Sequence, residues 1–222
     1  MSNSRHHRYR SRTDDQVETA DVEEGRLMPR QQARQRATDD FGHFFRSWIQ
    51  NPRGIGAVAP SGRLLAKLMA TSVRPGSRVI ELGGGTGTVT QAILDAGVEP
   101  KDLVVVEQNA QFVELLKRRF PSSVVMQTDA TAIADRLDGA RGSFDFVISG
   151  LPLLLFSPAR REQLLSHAFE LLGPQGLLHQ FTYGGRCPIG RDLRARLGLR
   201  TSLIGIAPFN LPPAFVYRFA RG

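Results

Sequence analysis

Along the chain the apolar residues come in two rhythms. Short, largely apolar runs at 79–82, 103–106, 124–126 and 144–148, the first and last holding one acid each, read as strands, and the first of them as buried. Around them apolar positions return at helical spacing: Leu64, Leu65, Leu68 and Met69, then Val89, Ile93 and Leu94, then the stretch 159–172, closed by Gly173-Pro174. A fifth strand is predicted at 176–184 and a closing pair at 201–207 and 214–220, joined through Asn210-Leu211-Pro212-Pro213. In the last of these Phe215, Tyr217 and Phe219 alternate with other residues, as in a half-buried edge strand. Strands alternating with helices predict an α/β domain with a doubly wound, Rossmann-like, mostly parallel sheet.

Upstream of residue 51 the pattern changes. Residues 1–25 carry no core pattern, only a basic run from Arg5 to Arg12 and an acidic one from Asp14 to Glu24, the composition of a disordered tail. At 26–50, Arg26, Arg30, Arg34 and Arg36 lead into Phe41, Phe44, Phe45, Trp48 and Ile49, spaced i, i+3, i+4, i+7, i+8 on one helical face. Such an amphipathic helix suits a membrane interface or a lid over the core. Residues 51–222 then form the domain, opening on a Gly- and Pro-rich loop whose Ser61 is placed to cap the next helix.

Candidate chemistry gathers where the first strand stops. Glu81-Leu82-Gly83-Gly84-Gly85-Thr86-Gly87 converts a strand into a tight turn and then a helix. Glycine tolerates positive φ, and without Cβ it lets a ligand lie against the backbone, where the helix-start amides face it. The glycines at 83, 85 and 87 alternate, unlike the G-x-G-x-x-G of dinucleotide sites. The second strand ends in Glu107, about twenty residues beyond the turn, where a βαβ unit places an acid for ribose hydroxyls. The third leads to Asp129-Ala130, with Asp129 either a ligand contact or a helix cap before Thr131.

The E-x-G-x-G-x-G pattern resembles the first motif of class I methyltransferases that use S-adenosylmethionine and release S-adenosylhomocysteine. The resemblance implies that Glu81 lies near the methionine end of the cofactor, with Gly83, Gly85 and Gly87 making room for its ribose and amino acid. It also implies Glu107 on the ribose, Asp129 on the adenine amine with the Ala130 amide on the ring, and Ser149, closing the fourth strand, against the cofactor. The expected fold is a seven-stranded sheet with an antiparallel last strand. Three further stretches, the loop from Asn51 to Ser61, Gly150-Leu151-Pro152-Leu153 and Gln180-Phe181-Thr182-Tyr183-Gly184, are similar to the bacterial phospholipid N-methyltransferases. Adenine-amine methyltransferases usually carry Asn or Asp where this chain has Gly150, with an aromatic three residues on. That departure disfavours a base as acceptor, and the apolar loop favours a lipid.

Composition and charge narrow the partners. The 222 residues carry a net charge of +8. From Ser157 onward there are nine arginines against three acids, so an anionic partner is expected, an acidic membrane face or nucleic acid. One cysteine, Cys187, excludes an internal disulfide, and the scattered histidines offer no metal set. With no apolar leader and no run of bilayer length, a cytoplasmic protein held peripherally at the inner membrane face is expected.

Together these features lead to an expected S-adenosylmethionine-dependent N-methylation of phosphatidylethanolamine, once or successively toward phosphatidylcholine. Tyr183 is the candidate catalytic group that orients and helps deprotonate the amine, with His179 a weaker base. An RNA methyltransferase, a non-catalytic membrane-binding protein of the same fold and a soluble small-amine methyltransferase are the alternatives.

Overall fold

The computed structural model describes residues 60–222, except Gly184 and Leu211. The predicted tail at 1–25, the helix at 26–50 and the loop up to residue 59 lie outside the described residues. The elements are α1 (Pro60–Met69), β1 (Val79–Leu82), α2 (Thr88–Asp95), β2 (Leu103–Glu107), α3 (Ala110–Arg119), β3 (Val124–Gln127) and α4 (Ile133–Arg136). They continue with β4 (Phe144–Ser149), α5 (Pro158–Leu171), β5 (Leu172–Tyr183), α6 (Arg191–Arg196), β6 (Leu199–Ala207) and β7 (Ala214–Arg221). Short 3₁₀ turns fill several of the connections.

The strands form one sheet in the order β3-β2-β1-β4-β5-β7-β6. β1 to β5 run parallel, and β7 is antiparallel to both β5 and β6. The central strands are apolar because both faces are covered. All four residues of β1 are buried, Glu81 included, and β2 is buried from Leu103 to Val106. Each Val, Ile or Leu so enclosed contributes roughly 1.5–3 kcal/mol of transfer free energy. One face packs Ile80, Leu82, Val104 and Val147 against α5 through Leu164, Leu165 and Ala168. The other packs Val79, Val105, Phe146 and Ile148 against Met69, Ile93 and Leu116 from α1, α2 and α3. Strand order reverses between β1 and β4, so a crevice opens there at the carboxyl ends of the strands.

Three local expectations are corrected. β7 is not an edge: it lies between β5 and β6, so Phe219 is fully buried and β6 forms the rim. Alternation along β7 therefore marks two packed faces of unequal depth. α5 ends at Leu171, ahead of Gly173-Pro174, and both of these residues lie within β5. Leu172 pairs with Phe144, and the register then shifts before Phe146 meets Leu177. Finally, α1 starts at Pro60, one residue ahead of Ser61.

Candidate cofactor and acceptor site

The turn after β1 is fixed by the neighbouring strand. The amides of Gly83 and Gly84 both donate to the Val106 carbonyl, at 2.8 and 3.2 Å, and that of Gly87 donates to Gly84 at 2.8 Å. Gly83, Gly85 and Gly87 sit at φ +82°, +53° and +82°, a region costly for any residue with a Cβ. Packing adds a second reason for glycine at positions 84 and 87. A Cβ on Gly84 would stand 2.5 Å from Val105 Cγ1, and one on Gly87 would stand 2.5 Å from Phe120 Cε2. Gly87→Ala should therefore destabilise the fold by about 2–3 kcal/mol, combining left-handed strain with overpacking. Chemical denaturation measures this, and a loss below about 0.5 kcal/mol would contradict it.

This turn borders a cavity of about 450 Å³, lined by Gly83, Gly85, Glu107, Asp129, Ala130 and Gly150, with Gln108, Asn109, Phe112, Leu151, Phe156 and Arg160 among the remaining wall residues. Glu107 is the link between its two sides. Its Oε2 accepts from the Gly85 amide at 3.0 Å and its Oε1 from the Asn109 amide at 2.8 Å. Each carboxylate oxygen keeps a lone pair beyond these bonds, enough for two adjacent hydroxyl donors. Asn109 in turn caps α3, its side chain accepting from the amides of Gln111 and Phe112.

Asp129 is a cap, and it also stands on the cavity wall. Its Oδ1 accepts from the Thr131 amide and hydroxyl, both at 2.8 Å, and its Oδ2 pairs with Arg160 at 2.8 Å, while the residue still lines the cavity. Burial pushes its carboxyl upward, but the Thr131 donors and the Arg160 guanidinium outweigh burial and hold the pKa below the ordinary value. Arg160 also lies over the Phe156 ring, 4.6 Å from its centroid, so ring, cation and carboxylate make one continuous wall.

The loop after β4 is anchored through its carbonyls. Arg161 donates to Leu153 at 2.9 Å and Phe156 at 3.1 Å, and Gln180 Nε2 donates to Leu151 at 2.8 Å. The Gly150 amide donates to Leu82 at 2.8 Å, and a Cβ at position 150 would come 3.0 Å from the Gly83 carbonyl. The backbone is thus too close here for a side-chain amide to be introduced without movement.

Other predicted residues stand apart from the cavity wall. Glu81 is 1% exposed; it accepts from the Thr90 hydroxyl at 2.6 Å on Oε2, and its Oε1 is unpartnered among the described residues. Desolvation is the chief reason its carboxyl is pushed up to about 8. Gly87 caps α2 rather than lining the cavity, and Ser149 is fully buried just behind Gly150. Tyr183 ends β5, edge-on to Phe181 at 5.4 Å. Burial raises its pKa, with the polar side chain of Asn210 opposing. His179 does not reach the site. It is fully buried, with Nδ1 2.8 Å from the Met69 carbonyl, an arrangement that requires the proton on Nδ1. Burial also lowers its pKa, so it is a neutral core residue and the expectation of a base is withdrawn.

Sequence reasoning missed Asn109, Arg160 and Arg161. An Asn directly before an apolar helical run is a legible cap. The Arg160–Asp129 pair spans 31 residues and had no local signal.

The chain matches the methyltransferase domain family over residues 79–176. It is 30% identical over 190 residues to a protein named ornithine lipid N-methyltransferase from Singulisphaera acidiphila, covering 82% of this chain and 96% of that one. A second relative, named "Probable ribosomal RNA small subunit methyltransferase A" from Methanospirillum hungatei, is 28% identical over 68% of this chain and 58% of its own length. The fold is that of the 1,6-didemethyltoxoflavin-N1-methyltransferase of Burkholderia thailandensis, solved with S-adenosylhomocysteine bound. That structure superimposes with a TM-score of 0.59 at 16% identity, over 84% of this chain and 89% of that chain.

The residues present fit a nucleoside cofactor. The cavity has the volume of a small-ligand site, a carboxylate with spare lone pairs faces a glycine cradle, and a buried acid behind it keeps one oxygen unpartnered. The chain belongs to the class I S-adenosylmethionine-dependent methyltransferases. S-adenosylmethionine is its cofactor and supplies an activated methyl group.

Proposed function

We propose that this methyltransferase acts on the terminal amine of a lipid headgroup, with phosphatidylethanolamine the expected acceptor. The observation that carries the reading is the loop after β4. Its backbone is tied off by Arg161 and Gln180, so what it offers the cavity is Leu151, Pro152 and Phe156 rather than a side-chain amide. Acyl chains favour such walls, while a flat polar base needs hydrogen-bonding partners that this loop lacks. The relative named for an ornithine lipid, matched over nearly its whole length, supports the same class of acceptor. Phosphatidylethanolamine and ornithine lipid share the relevant chemistry, a primary amine on a short flexible arm at the lipid–water boundary.

In this reading Glu107 accepts from the ribose hydroxyls, Asp129 and the backbone of Ala130 meet the adenine edge, and Gly83 and Gly85 let the cofactor lie on the backbone. Ser149 and Gly87 hold the turn and the β4 end in register behind it. The protein's remaining task is to orient an amine that has lost its proton. Tyr183, neutral at physiological pH because burial raises its pKa, would accept a hydrogen bond from the arriving ammonium and pass a proton to water. Tyr183→Phe should then lower kcat by about 10²-fold or more with S-adenosylhomocysteine affinity changed less than about twofold. Equal loss of both would make Tyr183 structural.

The deciding experiment incubates the full chain with methyl-labelled S-adenosylmethionine and three acceptors in parallel: vesicles with phosphatidylethanolamine, vesicles with ornithine lipid, and ribosomal RNA. Label in a lipid fraction supports the proposal, and the two vesicle arms assign the headgroup. Label confined to RNA, or to water-soluble amines, overturns it.

A further inference from the structure

At the rim of the sheet, on the same carboxyl-end side as the cavity, β6 and the turn into β7 expose apolar surface. Phe209 is 79% exposed, Leu203 48% and Ile206 44%. Leu203 pairs with Tyr217 and Ile206 with Phe215, so the two exposed side chains continue one face of the sheet outward to its edge. Edge strands of soluble proteins usually carry charge to prevent association. The half of β6 from Leu203 to Ala207 carries none.

The charge around this surface is of one sign. The last acid in the chain is Asp192, so the β6–β7 hairpin contains Arg200, Arg218 and Arg221 and no Asp or Glu. Arg186 is exposed in the segment that crosses Phe215, where Gly185 accepts from the Tyr217 hydroxyl at 2.9 Å. Among the described residues none of these four arginines lies in an ion pair. The turn also lies at the same end of the sheet as the candidate acceptor side, since Tyr183 pairs with Ala214, the first residue of β7.

We propose that the β6–β7 turn is a membrane-insertion element: Phe209, with Ile206 and Leu203 behind it, enters the apolar layer of an anionic lipid surface while Arg186, in the neighbouring segment that crosses Phe215, meets its phosphates. This rests on the lipid reading above and adds where the bilayer lies against the domain. An aromatic tip with the exposed Arg186 beside it, Arg218 four residues down β7 and no acid in the hairpin matches the layering of a bilayer face, greasy below and negative above. A second copy of the chain fits less well, because a two-fold contact would set the same acid-free hairpin against itself. The location also suits delivery, placing the lipid at the end of the sheet where Tyr183 and the cavity lie.

The test uses the full chain with Trp48→Phe, which removes the only tryptophan, and Phe209→Trp as the reporter. Unlabelled vesicles of phosphatidylcholine and phosphatidylglycerol, lacking any methyl acceptor, are titrated in at low and high salt. The expected result is a blue shift of the emission and quenching by lipids brominated on their acyl chains, both weakened by salt. In the native chain Phe209→Ser should weaken partition to these vesicles about tenfold with S-adenosylhomocysteine affinity unchanged. If vesicles bind the protein but the reporter neither shifts nor quenches, the turn is not inserted and the inference fails while the lipid reading stands. A blue-shifted emission before lipid is added, or one that appears with protein concentration alone, assigns the surface to the chain's own N-terminal segment or to a second copy and also overturns it. Absence of both vesicle binding and lipid methylation would remove the lipid reading itself.

Discussion

Replacing Glu107 with alanine should weaken S-adenosylhomocysteine binding by about 10²- to 10³-fold. The carboxylate bridges both walls of the crevice, through the Gly85 amide and the Asn109 amide. In the proposed mode it also accepts from two ribose hydroxyls. A hydrogen bond to a charged group contributes about 1.5–3 kcal/mol, so losing a pair, each near the lower end of that range, amounts to roughly 3–4 kcal/mol of binding free energy. The same substitution leaves two part-buried amides without acceptors, which should lower stability by about 1–3 kcal/mol. Titration calorimetry with S-adenosylhomocysteine and denaturation without ligand separate the two effects. Glu107→Gln gives the control: it keeps one carbonyl acceptor and should lose less of both. If Glu107→Ala destabilises the chain but changes affinity less than threefold, the residue holds the turn and does not hold the ribose.

The same turn explains how much of this site could be read in advance. A glycine at alternate positions after a four-residue apolar run is a local signal, and the structure puts Gly83 and Gly85 on the cavity wall beside Glu107. Spacing along a βαβ unit located Glu107 because the intervening helix has a nearly fixed length. What local pattern does not encode is which atoms are already engaged. Asp129 looked like a ligand contact or a cap, and it is a cap that also lines the cavity, paired to an arginine on another helix. His179 looked polar and near the site, but in a strand buried on both faces its ring turned to α1. The edge assignment failed for a related reason. Alternation of Phe215, Tyr217 and Phe219 suggested an edge, whereas β7 inserts between β5 and β6, a placement set by long-range pairing.

The buried Glu81 should make the fold less stable as pH rises. Its carboxyl is enclosed between β1 and α2, and desolvation, with a smaller contribution from the Glu107 charge, outweighs the two Thr90 hydrogen bonds to push its pKa up to about 8. The unfolded chain releases this proton near the ordinary value of 4.5. Between that value and about 8 the folded chain binds the extra proton, so stability must fall as pH rises through this window. Over the whole window the loss amounts to roughly 4–5 kcal/mol, with little solvent screening for a group so deeply buried. His179 acts in the opposite sense: its lowered pKa makes the folded state bind fewer protons than the unfolded one below the ordinary value of 6.5, so its contribution rises with pH there. Comparison with Glu81→Gln cancels that contribution, because His179 is common to both chains. Glu81→Gln should accordingly flatten the pH dependence and be more stable than the native chain at pH 8, by several kcal/mol, while differing little near pH 5. Urea denaturation of both chains without ligand, at closely spaced pH values, provides the measurement. Parallel stability curves for the two chains would mean that Glu81 is ionised in the fold at neutral pH, its unpartnered oxygen reached by a donor that offsets burial.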